Sequence, residues 1–256
     1  VTRREAAYNK KLQELIDKVG DLEDSKVEKV VQLLENARSE VAARVASTEW
    51  DMYYIPQLKE AVDRALTTFK QRYGSEQEVA LNNMWNAGID MVDSPLQFVG
   101  IRAAAPEISR SALEILQGYS ADLIGGLTAD AAKKINSEIA LGIMGAKPVQ
   151  EVMRAVGRNL DDPSVFGTIG SRAEAITRTE MARVNSAARE ARAEGTAHNN
   201  PELQWMKKWI SSGKFHPRPN HAALNGVMVP VDENFPGGIP YPHAPGLPAS
   251  EVVNCA

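Results

Sequence analysis

The sequence predicts a mainly α protein, with an elongated helical N-terminal region and a small α+β C-terminal module. Three observations carry this expectation. Over roughly the first 158 residues, apolar positions recur at steps of three and four with charges between them, the period of a helix with one buried face. From His198 onward the character changes: all four histidines and nine of the fourteen prolines fall there, a density that excludes long helices and central strands. Third, 43% hydrophobic and 24% charged residues describe a globular chain, not a disordered one.

In the first helical stretch, Leu12, Ile16, Val19 and Leu22 share a face, and Val27, Val30, Leu34, Ala37, Val41 and Val45 form a second stripe. That stripe reads either as an ordinary core-facing helix or as a coiled-coil or groove contact with a partner, and the heptads are too few to favour the second. Ser25 with Glu28, Thr48 with Glu49 and Asp51, and Ser75 with Glu78 have the spacing of helix starts, a hydroxyl before acidic groups in the first turn. Pro56, Gly74, Pro95, Pro106 and Gly118 punctuate the run, so that two helical groups split near residue 100 are expected. In the second group Thr128 is read as an N-cap leading into Ala131, Ile135, Ile139 and Ile143, with Gly145 ending that helix. Asp161, Asp162, Pro163 and Ser164, with Gly167 and Gly170 beyond, form a polar break. It sets the expected domains at 1–165 and 166–256.

Ser171 and Glu174 are expected to cap a charged helix running to about Glu194. On it, Arg178 and Glu180 point about 200° apart, so they cannot both serve one site. Two readings stay open for its charges. One is a solvated face whose i,i+4 pairs contribute about 0.2–0.5 kcal/mol each. The other makes Arg178, Glu180, Arg183 and Asn185 anchors that clamp the following loop onto the helix, an Arg fork being suited to several acceptors at once. Beyond Pro201, short strands are expected at 204–210 and 227–231, with Asn225-Gly226 as a tight turn. Such a tail cannot bury a large core alone. Trp205, Trp209, Phe215, Phe235 and Tyr241 are the adhesive, core packing being the ordinary use of such rings and a ligand platform the rarer one.

Composition excludes several roles. A net charge of −4 gives no general attraction to DNA or to an anionic membrane. No apolar run reaches the roughly 18 residues of a membrane span, and the charged start lacks the apolar stretch of a secretory signal. The first residue is Val rather than Met, which leaves the start open to processing. A single cysteine, Cys255, excludes an internal disulfide and fits synthesis in a reducing cytoplasm. His216, His221, His243 and Cys255 are the one constellation with zinc-ligand chemistry, but their spacing follows no metal motif. Loop histidines bonded to backbone or water are the simpler reading, and no cofactor is expected.

The order Ile176-Thr177-Arg178-Thr179-Glu180, Arg183, Asn185, Ala187, Trp209, Arg218, His221, Leu224-Asn225-Gly226, Phe235, Pro242 and Asn254-Cys255 resembles the signature of the phage Mu F-like minor head protein family, also called phage head morphogenesis proteins. The resemblance extends from about Leu113 to the end and is tightest from Ile176 to Cys255. It implies a structural minor capsid protein of a tailed phage, made in the bacterial host cytoplasm and carried in the virion at the portal vertex. It implies portal protein as partner, with major capsid or scaffold protein and packaged DNA as further contacts, and no membrane. It implies that Arg178, Glu180, Arg183, Asn185, Trp209, His221, Asn225, Gly226 and Asn254 form a structural clamp with no catalytic residue. Members often continue past Asn-Cys with a further Arg-Cys, which is not found here, so no role is given to a pair of terminal cysteines. From other classes, a metal-dependent hydrolase or toxin-like effector would use the histidine cluster, and a DNA-contacting ejection protein would need a basic patch.

Overall fold

The computed structural model describes residues 2–47, 55–148, 151, 166–211, 218–248 and 251. It is 74% helical, so the mainly α expectation holds, with a small α+β region at the C-terminal end. Four long helices dominate the described residues: α1 Arg3–Ser47, α2 Ile55–Phe98, α3 Ser111–Ile143 and α4 Phe166–Asn199. They are followed by β1 Met206–Lys208, the short helix α5 Pro219–Leu224 and β2 Met228–Pro230. The two strands pair antiparallel, with Met206 opposite Pro230, Lys207 opposite Val229 and Lys208 opposite Met228.

The helices are longer than their local signals predict. Ser25 and Ser75 lie inside α1 and α2, Thr128 inside α3 and Ser171 inside α4, so none of the four is an N-cap. Gly74, Pro95 and Gly118 are likewise carried within helices, and α4 continues past Glu194 to Asn199. Thr128 shows why a hydroxyl misleads: its Oγ1 donates back to the carbonyls of Ile124 and Gly125 at 3.1 and 2.9 Å, a bond available mid-helix. Gly145 does end α3 as expected, at φ 69, with the Ala146 N–H returning to the Leu141 carbonyl. Pro56 sits in the first turn of α2, where a missing N–H costs nothing. The Thr48, Glu49 and Asp51 start, the break from Asp161 to Ser164 and Phe215 lie outside the described residues.

Packing groups the chain into two compact units, each discontinuous in sequence. One takes Ser25–Glu78 and Gly118–Thr177, the other Val1–Asp24, Val79–Gln117 and Arg178–Ala256. Each unit therefore draws on all four long helices, a different partition from segments 1–165 and 166–256. In the first unit, the stripe Val27, Val30, Leu34, Ala37 and Val41 is buried. Its members from Val30 onward meet Leu58, Val62, Leu66, Phe69 and Tyr73 of α2 and Ile124, Leu127, Ile135 and Ile139 of α3. The stripe thus faces this core, each large side chain contributing roughly 1.5–3 kcal/mol of burial. Tyr73 carries the polar specificity there: its hydroxyl donates to the Ala173 carbonyl at 2.9 Å and lies 2.7 Å from Thr177 Oγ1.

The second unit has two cores. In one, Ala80, Leu81, Met84 and Trp85 of α2 pack with Leu113 and Leu116 of α3 and Met181, Val184, Ala187 and Ala188 of α4. The other is smaller and belongs to the tail: Trp209, Leu224, Phe235 and Ile239, with Val227, Val229 and Leu247 packed against them.

Candidate functional site

In the second unit α4 lies close against α2. Asn185, buried, donates from Nδ2 to the Met84 carbonyl at 3.2 Å. A Cβ built at Gly88 would come within 2.5 Å of the Asn185 carbonyl oxygen and 2.8 Å of Ala188 Cβ, so only glycine fits this crossing. Arg178 pairs with Asp24 of α1, Nη1 to Oδ1 at 2.8 Å, on a side chain that is about one-third exposed. Such a bridge contributes about 0–1 kcal/mol.

Glu180 is different, being 1% exposed, with its carboxylate 3.0 Å from Arg183 one turn on. Burial pushes its carboxyl up to about 7, against the Arg183 guanidinium, which draws it down. A folded-state value above the ordinary 4.5 means that the folded chain binds the proton more tightly. Stability from this group is therefore full below about pH 4.5 and lost as pH rises through 7. At ~1.4 kcal/mol per pH unit the loss is roughly 3 kcal/mol. Urea unfolding at pH 5 and pH 8 should show it, and Glu180→Gln should flatten the difference. An unchanged pH profile in that variant would remove Glu180 as its source.

The strongest polar ties were not legible in the sequence. Arg192 holds Asp93 with two parallel bonds, Nε to Oδ1 at 2.8 Å and Nη2 to Oδ2 at 2.5 Å, and also donates to the Pro106 carbonyl. Asn200, just past α4, pairs with the Ala104 backbone in both directions, at 2.9 and 3.1 Å, and donates to the Thr196 carbonyl at 2.7 Å. These bonds fasten the irregular segment before α3 to the end of α4. The fork geometry of arginine was the one available hint, since the partners lie 99 and 96 residues away.

The tail is built around Trp209. Its backbone N–H donates to the Val227 carbonyl and its carbonyl accepts from the Gly226 N–H, both at 2.9 Å, with Gly226 at φ 85. Its indole meets Phe235 edge-on at 5.2 Å and the His221 ring at 5.5 Å. Asn225 Oδ1 accepts from the Ser211 N–H at 3.1 Å. Lys207 ties this body to α4: its ammonium pairs with Glu190, donates to the Pro240 carbonyl at 2.9 Å and sits 5.6 Å from the Phe235 ring centre. Burial raises the Glu190 carboxyl and the Lys207 contact offsets part of that rise.

Of the nine residues expected to clamp, Trp209, His221, Asn225 and Gly226 gather in the tail and Glu180 pairs with Arg183. The described bonds of Arg178 and Asn185 run to α1 and α2. Asn254 lies outside the described residues. His221 is buried, with Nε2 2.8 Å from Glu251 Oε2. His243 is buried too, at φ 61. Among the described residues no group of three or more His, Cys, Asp or Glu is placed to hold a metal; His216 and Cys255 lie outside them. Nor is any described helix long and apolar enough to cross a membrane.

Fold and site together define a helical protein whose small C-terminal α+β body is tied to its last long helix by the Lys207–Glu190 pair and by the packing of Tyr241. Residues 133–255 match the family of phage Mu protein F like proteins, the family that the order of motif residues resembles. The family is one of phage head morphogenesis. The matched region takes residues from both compact units. No curated protein and no solved structure matches the chain.

Proposed function

We propose that the protein is a structural minor component of a tailed-phage head, associated with the portal vertex and acting in head assembly and in DNA packaging or release. The observation that carries this reading is the family match over residues 133–255. The geometry supports it in kind: the motif residues serve packing and ion pairing, as a scaffold requires. Trp209, Asn185 and Glu180 are buried inside the fold, Glu180 paired with a half-buried Arg183. The net charge of −4 favours protein contacts over direct DNA binding. The test is co-sedimentation of the purified chain with the portal protein of the same phage, with stoichiometry from native mass spectrometry. A discrete complex of defined copy number is expected. No association at micromolar concentrations would overturn the portal assignment.

A further inference from the structure

Three side chains on and beside α5 converge on one residue thirty positions further along. Asn220 Nδ2 donates to Glu251 Oε2 at 2.8 Å, His221 Nε2 lies 2.8 Å from the same oxygen, and Arg218 Nη1 donates to the Glu251 backbone carbonyl at 3.3 Å. The site is built from below. Pro219 starts the short helix, His221 is buried against the Trp209 ring, and Leu224 on the same helix sits in the tail core. The Glu251 N–H donates to the Pro248 carbonyl at 2.8 Å.

We propose that Arg218, Asn220 and His221 form a carboxylate-binding clasp, occupied in cis by Glu251, whose negative charge holds it beside the buried His221. The claim is independent of the head-assembly reading. The chemistry selects a carboxylate: an amide N–H and an imidazole nitrogen meet one oxygen, and a guanidinium holds the adjoining backbone. The Asn220 bond, then His221 and Arg218, hold the Glu251 carboxyl below its usual range, as a site that favours the ionised form must. The Asn220–Glu251 bond is exposed at the surface, outside the Trp209 core.

Hydrogen exchange of the peptide covering residues 245–251 tests this in the full chain, with peptides from α2 and α4 as internal controls. Glu251→Ala and Asn220→Ala should each speed exchange in that peptide about tenfold or more while the controls stay at wild-type rates. Glu251→Gln, of the same shape but uncharged, should speed it at least severalfold. Raising salt from about 0.05 to 0.5 M should speed the wild type and leave Glu251→Gln unmoved. Wild-type exchange in Glu251→Gln would overturn the clasp, because shape alone would then hold the segment. Faster exchange in the control peptides would overturn it as well, by showing a general loosening of the fold.

Discussion

Trp209→Ala should cost about 3–5 kcal/mol and unravel the tail before the rest of the chain. The indole is 5% exposed and is the largest member of a core that, among the described residues, has three other buried apolar members, Leu224, Phe235 and Ile239. Its loss removes the edge-on contact to Phe235 and the wall against which His221 lies. The two three-residue strands cannot hold themselves, since an isolated hairpin is at best marginal in water. Urea unfolding followed by far-ultraviolet circular dichroism should show an early transition in the variant, with the helical signal largely retained. Hydrogen exchange should locate that transition in residues 206–239. Trp209→Phe should recover part of the stability by restoring an aromatic contact. A cost for Trp209→Ala below about 1 kcal/mol would mean that the tail is held from elsewhere, with the Lys207–Glu190 pair first in line.

The second large effect is one of sign. Alanine is ordinarily better than glycine within a helix by about 1 kcal/mol, and Gly118 of α3 has open space around its missing Cβ. Gly118→Ala should therefore stabilise the protein by about 0.5–1 kcal/mol. Gly88→Ala should instead destabilise it by about 2–3 kcal/mol, because its Cβ would meet the Asn185 carbonyl and Ala188 Cβ. Those atoms belong to the backbone and the first side-chain carbon of α4, so no rotamer change relieves the overlap. α4 would have to move off α2, stretching the Asn185–Met84 bond. Thermal unfolding of the two variants side by side decides the matter. If both glycines respond alike, the close crossing of α2 and α4 is wrong.

Much of the architecture was readable from local pattern. The stripe from Val27 to Val41, the stop at Gly145, the strands on either side of Asn225-Gly226 and the burial of Trp209 all stand where periodicity and turn chemistry put them. The order of motif residues pointed to the family that residues 133–255 match. Helix starts were the weak point. Ser25, Ser75, Thr128 and Ser171 all carry an acidic residue two or three positions on, yet each lies inside a continuous helix. The same spacing serves an exposed helical face as well as a cap, and long apolar stripes on α1, α2 and α3 carry the helix through.

The division follows from the range of the forces. A helical period, a proline-dense tail and a glycine after a helix are decided within one or two turns of chain, so they can be read residue by residue. The partner of Asn185 lies 101 residues away, that of Arg192 99 and that of Tyr73 100. Only the packed helices bring them together. Folding also determined which charge is which kind of charge. Arg178 and Glu180 are two positions apart on one helix; the first keeps water and a weak bridge, and the second is buried with its carboxyl raised to about 7. Nothing in their spacing distinguishes them, because desolvation is a property of the surroundings that the rest of the chain supplies.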